Sequence, residues 1–330
     1  MRRVLPLLIA AAIALAGCGT SAGASPHARN ATLVLDFTPN AVHAGIYTAL
    51  ARGYARAAGV ALRIITPTAS TDSIRLLETG RANFAILDIH DLAIARERGA
   101  DVVGIMAIVE RPLAAVIAAP PITDPRALAG KTVGVTGDPS DLAVLRSVIA
   151  GSGGHPKAVK TVTIGFDAVA ALLSGRVAAA TAFWNDEGIT LAHDRPGFHV
   201  FRVDQYGAPP YPELVLCATG AQLRGDPALA QAVVKVLVRG YQTALADPAS
   251  AIAALEREVP GIDRSLLAPQ LQALLPAFKA PDGRIGDLQP TVLAAWARWE
   301  ARFGIVARAP DVAATFDRSF VAAATAPAGA

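Results

Sequence analysis

The chain has 330 residues, 53% of them apolar and 17% charged, which is enough for two ordinary domains with cores of their own and too apolar for a disordered chain. The formal net charge is +3, and Arg2 and Arg3 at the extreme N-terminus supply two of the positives. With no basic stripe interleaved with aromatics, a nucleic-acid-binding protein is excluded.

The N-terminus is the first element. Arg2 and Arg3 form a short positive region, followed by an apolar run from Val4 to Ala16 that is too short for an ordinary membrane-spanning helix. Leu15-Ala16-Gly17-Cys18 then resembles the bacterial lipobox, in which the cysteine is acylated and becomes the new N-terminus. Residues 1–18 are therefore predicted to be a lipoprotein signal peptide with Cys18 as the lipidation site. That places the protein outside the cytoplasm, anchored to the cell membrane by lipid. A plain secretory signal with an incidental cysteine is the alternative. Residues 19–30 (GTSAGASPHARN) read as a flexible tether. Cys217, in the apolar run Leu214-Val215-Leu216-Cys217-Ala218, reads as a buried small hydrophobe, and acylation of Cys18 would leave it no disulfide partner.

From Ala31 strands and helices alternate. Strands are predicted at Thr32–Phe37, Val60–Thr66, Asn83–Leu87, Val102–Val109 and Leu113–Ala118. Helices are predicted at Ala41–Arg52, at Ser70–Thr79 with Ser70 or Thr71 as cap, and at Asp88–Arg98; Gly53, Gly80 and Gly99 end them. After Pro120, Pro121 and Pro125 the pattern restarts, with strands at Lys131–Thr136, Ala158–Ile164, Val177–Phe183 and Phe198–Val203. Helices between them run from Ser140 to Ala150, Asp167 to Ser174 and Asp186 to His193. Glu213–Thr219 is the last predicted strand. Helical periodicity then fills Asp226–Ala246, Ser250–Glu258, Ser265–Leu275 and Gln289–Phe303.

This order predicts an α/β protein of two lobes, each a mainly parallel sheet flanked by helices. The first part of lobe one is residues 31–118 and lobe two is 119–213. Residues 214–330 supply a return crossing and a helical tail, which has no sheet of its own and is expected to pack on lobe one. Leu113–Ala118 and Leu214–Thr219 are read as paired crossings that form a hinge. In open α/β sheets ligands sit beyond the carboxyl ends of the strands, so the loops after the strands are the candidate site.

Five such loops carry chemistry. Asp36-Phe37-Thr38-Pro39-Asn40-Ala41-Val42-His43 offers Asp36, Phe37, Asn40 and His43, with helix capping as the alternative role. Asp88-Ile89-His90-Asp91 offers Asp88 and His90, and Asp88 also suits an N-cap. Gly137-Asp138-Pro139-Ser140-Asp141 offers Asp138 and Ser140. Its acidity, and the lack of a basic residue between Lys131 and Arg146, argue against a phosphate cradle. Phe183-Trp184-Asn185-Asp186-Glu187-Gly188 offers Trp184 as a stacking face, Asn185 as an amide and Glu187 as an acceptor for a ring amine. An acidic helix start beside a half-buried Trp is the other reading. Tyr206-Gly207-Ala208-Pro209-Pro210-Tyr211-Pro212-Glu213 offers Tyr211 as a wall over a ligand or as structural packing. His43, His90 and Glu187 have no recognised metal-ligand spacing, so neither a metal nor a cofactor is expected.

These loops resemble those of pyrimidine-precursor-binding proteins in the wider group named after the fungal thiamine-pyrimidine synthases. Asp36-Phe37-Thr38-Pro39-Asn40 with His43 resembles the D-W-x-P-N-x-x-H opening. Gly53-Tyr54 with Gly59-Val60, Gly80-Arg81-Ala82-Asn83-Phe84 and Phe183-Trp184-Asn185-Asp186-Glu187-Gly188 follow in the group's order. Phe37 stands where Trp is usual, and Asn83 where Asp is usual. The resemblance implies a type II periplasmic-binding-protein fold, an ABC importer permease as partner, and a pyrimidine-type thiamine precursor as ligand. It implies ligand contact by Trp184, Glu187 and the Phe37–His43 loop. Riboflavin-type rings, sulfonates and nitrate are the alternatives within the group. Acidic residues at Asp36, Asp88, Asp138 and Glu187 disfavour the anions.

The expected function is thus a monomeric solute-binding lipoprotein and not an enzyme. The fungal synthases of the group carry a Cys-rich segment and a cofactor lysine, and the segment Phe84–His90, where that lysine would fall, contains none. A receptor that presents its ligand to a sensor is a third reading.

Overall fold

The computed structural model of the protein describes residues 28–325 except Ser70. The predicted signal peptide, Cys18, the tether up to residue 27 and the Ser70 cap lie outside the described residues. In chain order, the first stretch consists of β1 (Arg29–Val34), α1 (Ala44–Ala51), α2 (Tyr54–Ala57), β2 (Val60–Ile65), α3 (Asp72–Glu78), β3 (Phe84–Asp88), α4 (Ile89–Glu97) and β4 (Val102–Ala107). The second consists of β5 (Ala114–Ala118), β6 (Thr132–Val135), α5 (Pro139–Gly151), β7 (Lys160–Thr163), α6 (Ala168–Leu173), β8 (Ala179–Phe183), α7 (Glu187–Asp194) and β9 (His199–Arg202). The chain closes with β10 (Leu214–Thr219) and helices α8 (Gly220–Gly225), α9 (Pro227–Ala246), α10 (Pro248–Glu258), α11 (Arg264–Leu274), α12 (Pro290–Phe303), α13 (Val312–Thr315) and α14 (Ser319–Thr325).

Two five-stranded sheets result, ordered β2-β1-β3-β10-β4 and β7-β6-β8-β5-β9. In each, a single strand runs against the rest. β10 is antiparallel to β3 and β4, with Val215 opposite Leu87 and Ala107. β5 is antiparallel to β8 and β9, with Val116 opposite Thr181 and Phe201. Both reversed strands have just arrived from the other lobe. A chain entering a lobe from the hinge starts at the carboxyl ends of its strands and can only run back along them. The expectation of mainly parallel sheets therefore holds, with the crossings as its exceptions.

One boundary differs from the sequence reading. Leu113–Ala118 was expected to be the outgoing crossing, at the end of lobe one. β5 is instead a central strand of the second sheet, and its run AAVIA is buried throughout. The crossings are the preceding segments, residues 108–113 outward and 203–213 on return. Strand periodicity identifies an apolar strand but carries no information on which sheet will accept it. Arg29 and Asn30, read as tether, pair with Val60 and Ala61 and open β1.

The tail packs mostly on the first lobe, as expected. α9 lies along α1 so closely that Gly45 and Gly240 meet with no room for side chains. Asp226 caps α9, accepting from the N–H of Leu229 at 2.9 Å, and Asp247 caps α10 through Ser250 at 3.1 Å. In each case Pro follows the Asp at the first helical position. The tail also reaches lobe two: α11 contacts α7, and α12 contacts α5. Buried Trp296 and Trp299 of α12 share a core with Leu92 of lobe one and Val148 of lobe two.

Candidate functional site

The carboxyl ends of both sheets face a cavity between the lobes. Its volume is about 80 Å³. Of the sequence-predicted residues, Asp36, Phe37, Asp88, Asp138, Ser140 and Glu187 line it. Asp91 and Asp141 join them, so six carboxylates and no Lys, Arg or His are among the described lining residues.

On the first lobe, Asn40 caps the turn Ala41–His43, its Oδ1 accepting from the Val42 N–H at 2.8 Å. The Asn40 N–H donates to His43 Nδ1 at 3.2 Å. His43 therefore bears its proton on Nε2, which lies 2.9 Å from Asp36 Oδ1. The other oxygen of Asp36 is buried and finds no hydrogen-bond partner among the described residues. His43 is fully buried and does not line the cavity; it and Asn40 position Asp36. Asp88 caps α4, accepting from the His90 N–H at 2.7 Å. Asp91, three residues on, lies on the same face of the helix.

On the second lobe, Asp141 accepts from Thr136 N at 2.6 Å and Thr136 Oγ1 at 2.7 Å. Glu187 accepts from the Phe183 N–H at 3.0 Å. Contacts join the lobes. Ser140 is hydrogen-bonded to Asp91. The Phe37 and Phe166 rings meet edge-on with centroids 4.4 Å apart. Gln270 of α11 donates to Asp186 Oδ1 at 2.5 Å.

Burial dominates the electrostatics of this wall. It pushes Glu187 up to about 8, with the charge of Asp186 adding to it, and Asp186 up to about 6. It raises Asp88 and Asp91 well above the ordinary carboxylate range, and Asp141 as well. The charge of Asp138 adds to the shift of Asp91. Several of these groups hold protons that a hydrogen-bond donor or a cation in the cavity would displace.

Four further sequence candidates do not line the cavity. The indole N–H of Trp184 donates to Pro112 O at 2.9 Å, and its backbone N–H to Leu113 O at 3.0 Å. The guanidinium of Arg202 covers the Trp184 ring at 4.3 Å. Trp184 therefore braces the outgoing crossing, and the aromatic rings at the cavity are those of Phe37, Phe166 and Phe183. Asn185 is buried beside it, away from the lining. His90, one residue before Asp91 and so about 100° away around α4, points into the protein and pairs with Glu300 of α12. Tyr211 is fully buried, its ring edge-on to His90 at 4.7 Å.

Sequence reasoning missed Ser73, Asp91, Thr136, Asp141, Phe166 and Thr181, all of which line the cavity. Signals existed for three of them. Phe166 follows strand β7, and the rule about strand ends covers it. Asp91 and Asp141 sit three residues beyond the helix-start candidates Asp88 and Asp138, on the same helical face.

The chain is 30% identical over 293 residues to the formylaminopyrimidine-binding protein of Halalkalibacterium halodurans, covering 86% of this chain and 88% of that one. It is 27% identical over 318 residues to the riboflavin-binding protein RibY of Chloroflexus aurantiacus, covering 90% and 88%. The solved structure of the periplasmic aliphatic sulphonate binding protein SsuA from Escherichia coli superposes with a TM-score of 0.69 at 16% identity, covering 89% of this chain and 92% of that chain. At that identity the likeness is one of fold, and the fold is that of the periplasmic binding proteins, as expected from the sequence. A family profile described as NMT1/THI5 like matches residues 40–251, and the chain belongs to that family.

Proposed function

We propose that the protein is the extracytoplasmic substrate-binding component of an ABC importer, tethered by a lipid on Cys18, and that it captures a single-ring, amine-bearing ligand of the pyrimidine type. The observation that carries this reading is the cavity wall of six carboxylates with no basic side chain among its described lining. A carboxylate at about 4 Å from a ligand charge is worth about 4 kcal/mol at the effective dielectric of a protein site, attractive for a cation and repulsive for an anion. The groups that are ionised repel sulfonate and nitrate, and no basic side chain among the described lining offsets that. Ring amines meet acceptors at Asp36, Glu187 and Asp91, while Phe37 and Phe166 offer apolar faces to the ring.

The relative named for formylaminopyrimidine binding supports the same ligand class, and the relatives' names as binding proteins support capture rather than turnover. Closure of the two lobes around the ligand suffices for function, because differential affinity for the closed state does the work.

A thermal-shift screen of the purified protein against aminopyrimidines, riboflavin, an alkanesulfonate and nitrate tests it. At a hundredfold excess over Kd, an aminopyrimidine is expected to stabilise by about 2.7 kcal/mol and raise Tm by about 5 °C. A dominant shift from the sulfonate or nitrate overturns the ligand class.

A further inference from the structure

We propose that Asp88, His90 and Glu213 form a binding site for one divalent transition-metal cation at the hinge, directly behind the cavity, with Glu300 as the residue that orients His90. One ligand atom from each of the three lies within 4.8 Å of the others. They come from three segments: the end of β3, the first turn of α4, and the return crossing.

The hydrogen bonds leave one atom of His90 and one of Glu213 unengaged. Nδ1 of His90 pairs with Glu300 Oε1 and accepts from the Trp296 indole N–H at 3.3 Å. Nε2 is buried, has no hydrogen-bond partner among the described residues, and lies 3.9 Å from Glu213 Oε1. A carboxylate on one ring nitrogen and a metal on the other is the usual arrangement around metal-binding histidines. Glu213 is prepared in the same way. Its Oε2 accepts from the Leu113 and Ala114 N–H groups of the outgoing crossing, and Oε1 is buried without a partner among the described residues. The buried hydroxyl of Tyr211 also has no partner among them and feels the charges of Glu213, Asp88 and Glu300.

Three carboxyl groups and one imidazole gathered here offer donor atoms whose protons a divalent cation would displace. Bond lengths of about 2.0–2.2 Å allow ligand atoms up to about 4.4 Å apart, so a contraction of a few tenths of an ångström closes the site. One imidazole with carboxylates suits Zn²⁺ or Mn²⁺ and not Cu⁺, which prefers sulfur. An ion there would tie the start of α4 to the return crossing, which Glu213 already joins to the outgoing one. The competing occupant is a proton on the imidazole, which an incoming cation would displace.

The test strips the purified chain with EDTA and titrates it with ZnCl₂ and, separately, MnCl₂ by calorimetry, with no organic ligand present. Co²⁺ absorption spectra report the donor set. One ion per chain is expected, with d–d bands and no thiolate charge-transfer band. His90→Gln is expected to abolish uptake and Glu300→Gln to weaken it about 10–100-fold, while the exposed His193→Ala changes neither. Absence of stoichiometric uptake by the unmutated chain, or uptake undiminished in His90→Gln, overturns the proposal. If the buried variants fail to fold by circular dichroism, the imidazole ¹H–¹⁵N spectrum of the unmutated protein decides. Zn²⁺ must shift Nε2 of one buried imidazole, and a spectrum without that shift overturns the site.

Discussion

His43 Nε2 lies 2.9 Å from Asp36 Oδ1, and the backbone N–H of Asn40 occupies the other ring nitrogen. A short turn thereby holds a buried imidazole as a donor and aims a carboxylate at the cavity. Removing the imidazole by His43→Ala is expected to weaken aminopyrimidine binding about 10–100-fold, the value of one hydrogen bond to a charged group. Asp36→Ala is expected to cost at least as much. Calorimetric titration checks both, and an unchanged Kd in His43→Ala would show that Asp36 holds its place unaided.

Phe166 and Trp184 separate contact from support. Phe166 lines the cavity and meets Phe37 across it, so Phe166→Ala is expected to lower affinity clearly while shifting Tm little. Trp184 braces the crossing through Pro112 O and lies off the cavity, so Trp184→Phe is expected to lose about 1 kcal/mol of stability, a fall in Tm of about 2–4 °C, with little change in Kd. Loss of binding in a stable Trp184→Phe protein would return the indole to the ligand site.

The raised carboxyls predict a pH dependence. Burial pushes Glu187 up to about 8, and Glu110, with Asp287 nearby, up to about 8. The folded state then binds more protons than the unfolded state between pH 4.5 and 8, so stability is greatest below that window and falls as pH rises through it. His90, which burial alone would lower, is raised to about 10 by Glu300 and Asp88 and acts in the same direction at higher pH. The Tm of the unliganded protein is expected to fall from pH 5 to pH 8, with a shallower slope in Glu187→Gln. Differential scanning calorimetry across that range checks the sign, and a Tm that climbs with pH would contradict it.

Those protons also couple to the ligand. An amine that hydrogen-bonds to Glu187 favours its ionised form, so binding at pH 7 is expected to release protons. Calorimetry in two buffers of different ionisation enthalpy gives the number released, and a value of zero would place the amine elsewhere.

The contact of α1 with α9 leaves no tolerance. A Cβ at Gly240 would fall 2.1 Å from Gly45 O, and one at Gly45 would fall 2.3 Å from the Tyr241 ring. Backbone has to move, so Gly240→Ala is expected to destabilise by about 1–3 kcal/mol. Chemical denaturation measures it, and a neutral result would mean that the helices separate at no cost.

Several features were legible in the chain itself. Alternating apolar runs and Gly stops announced the order of strands and helices, because side-chain periods of 2 and 3.6 are written locally. The loops after β1, β3, β6 and β8 were found for the same reason, and with them Asp36, Phe37, Asp88, Asp138, Ser140 and Glu187 at the cavity. Tertiary structure alone decided which neighbour each of these elements meets. β5 joined the second sheet because a wholly apolar strand takes the partners that bury both its faces. Trp184 turned to Pro112, and His90 to Glu300, because their polar atoms needed partners 72 and 210 residues away. Phe37 found Phe166 across the cleft only once both lobes had folded, and no local pattern encodes a contact of that separation.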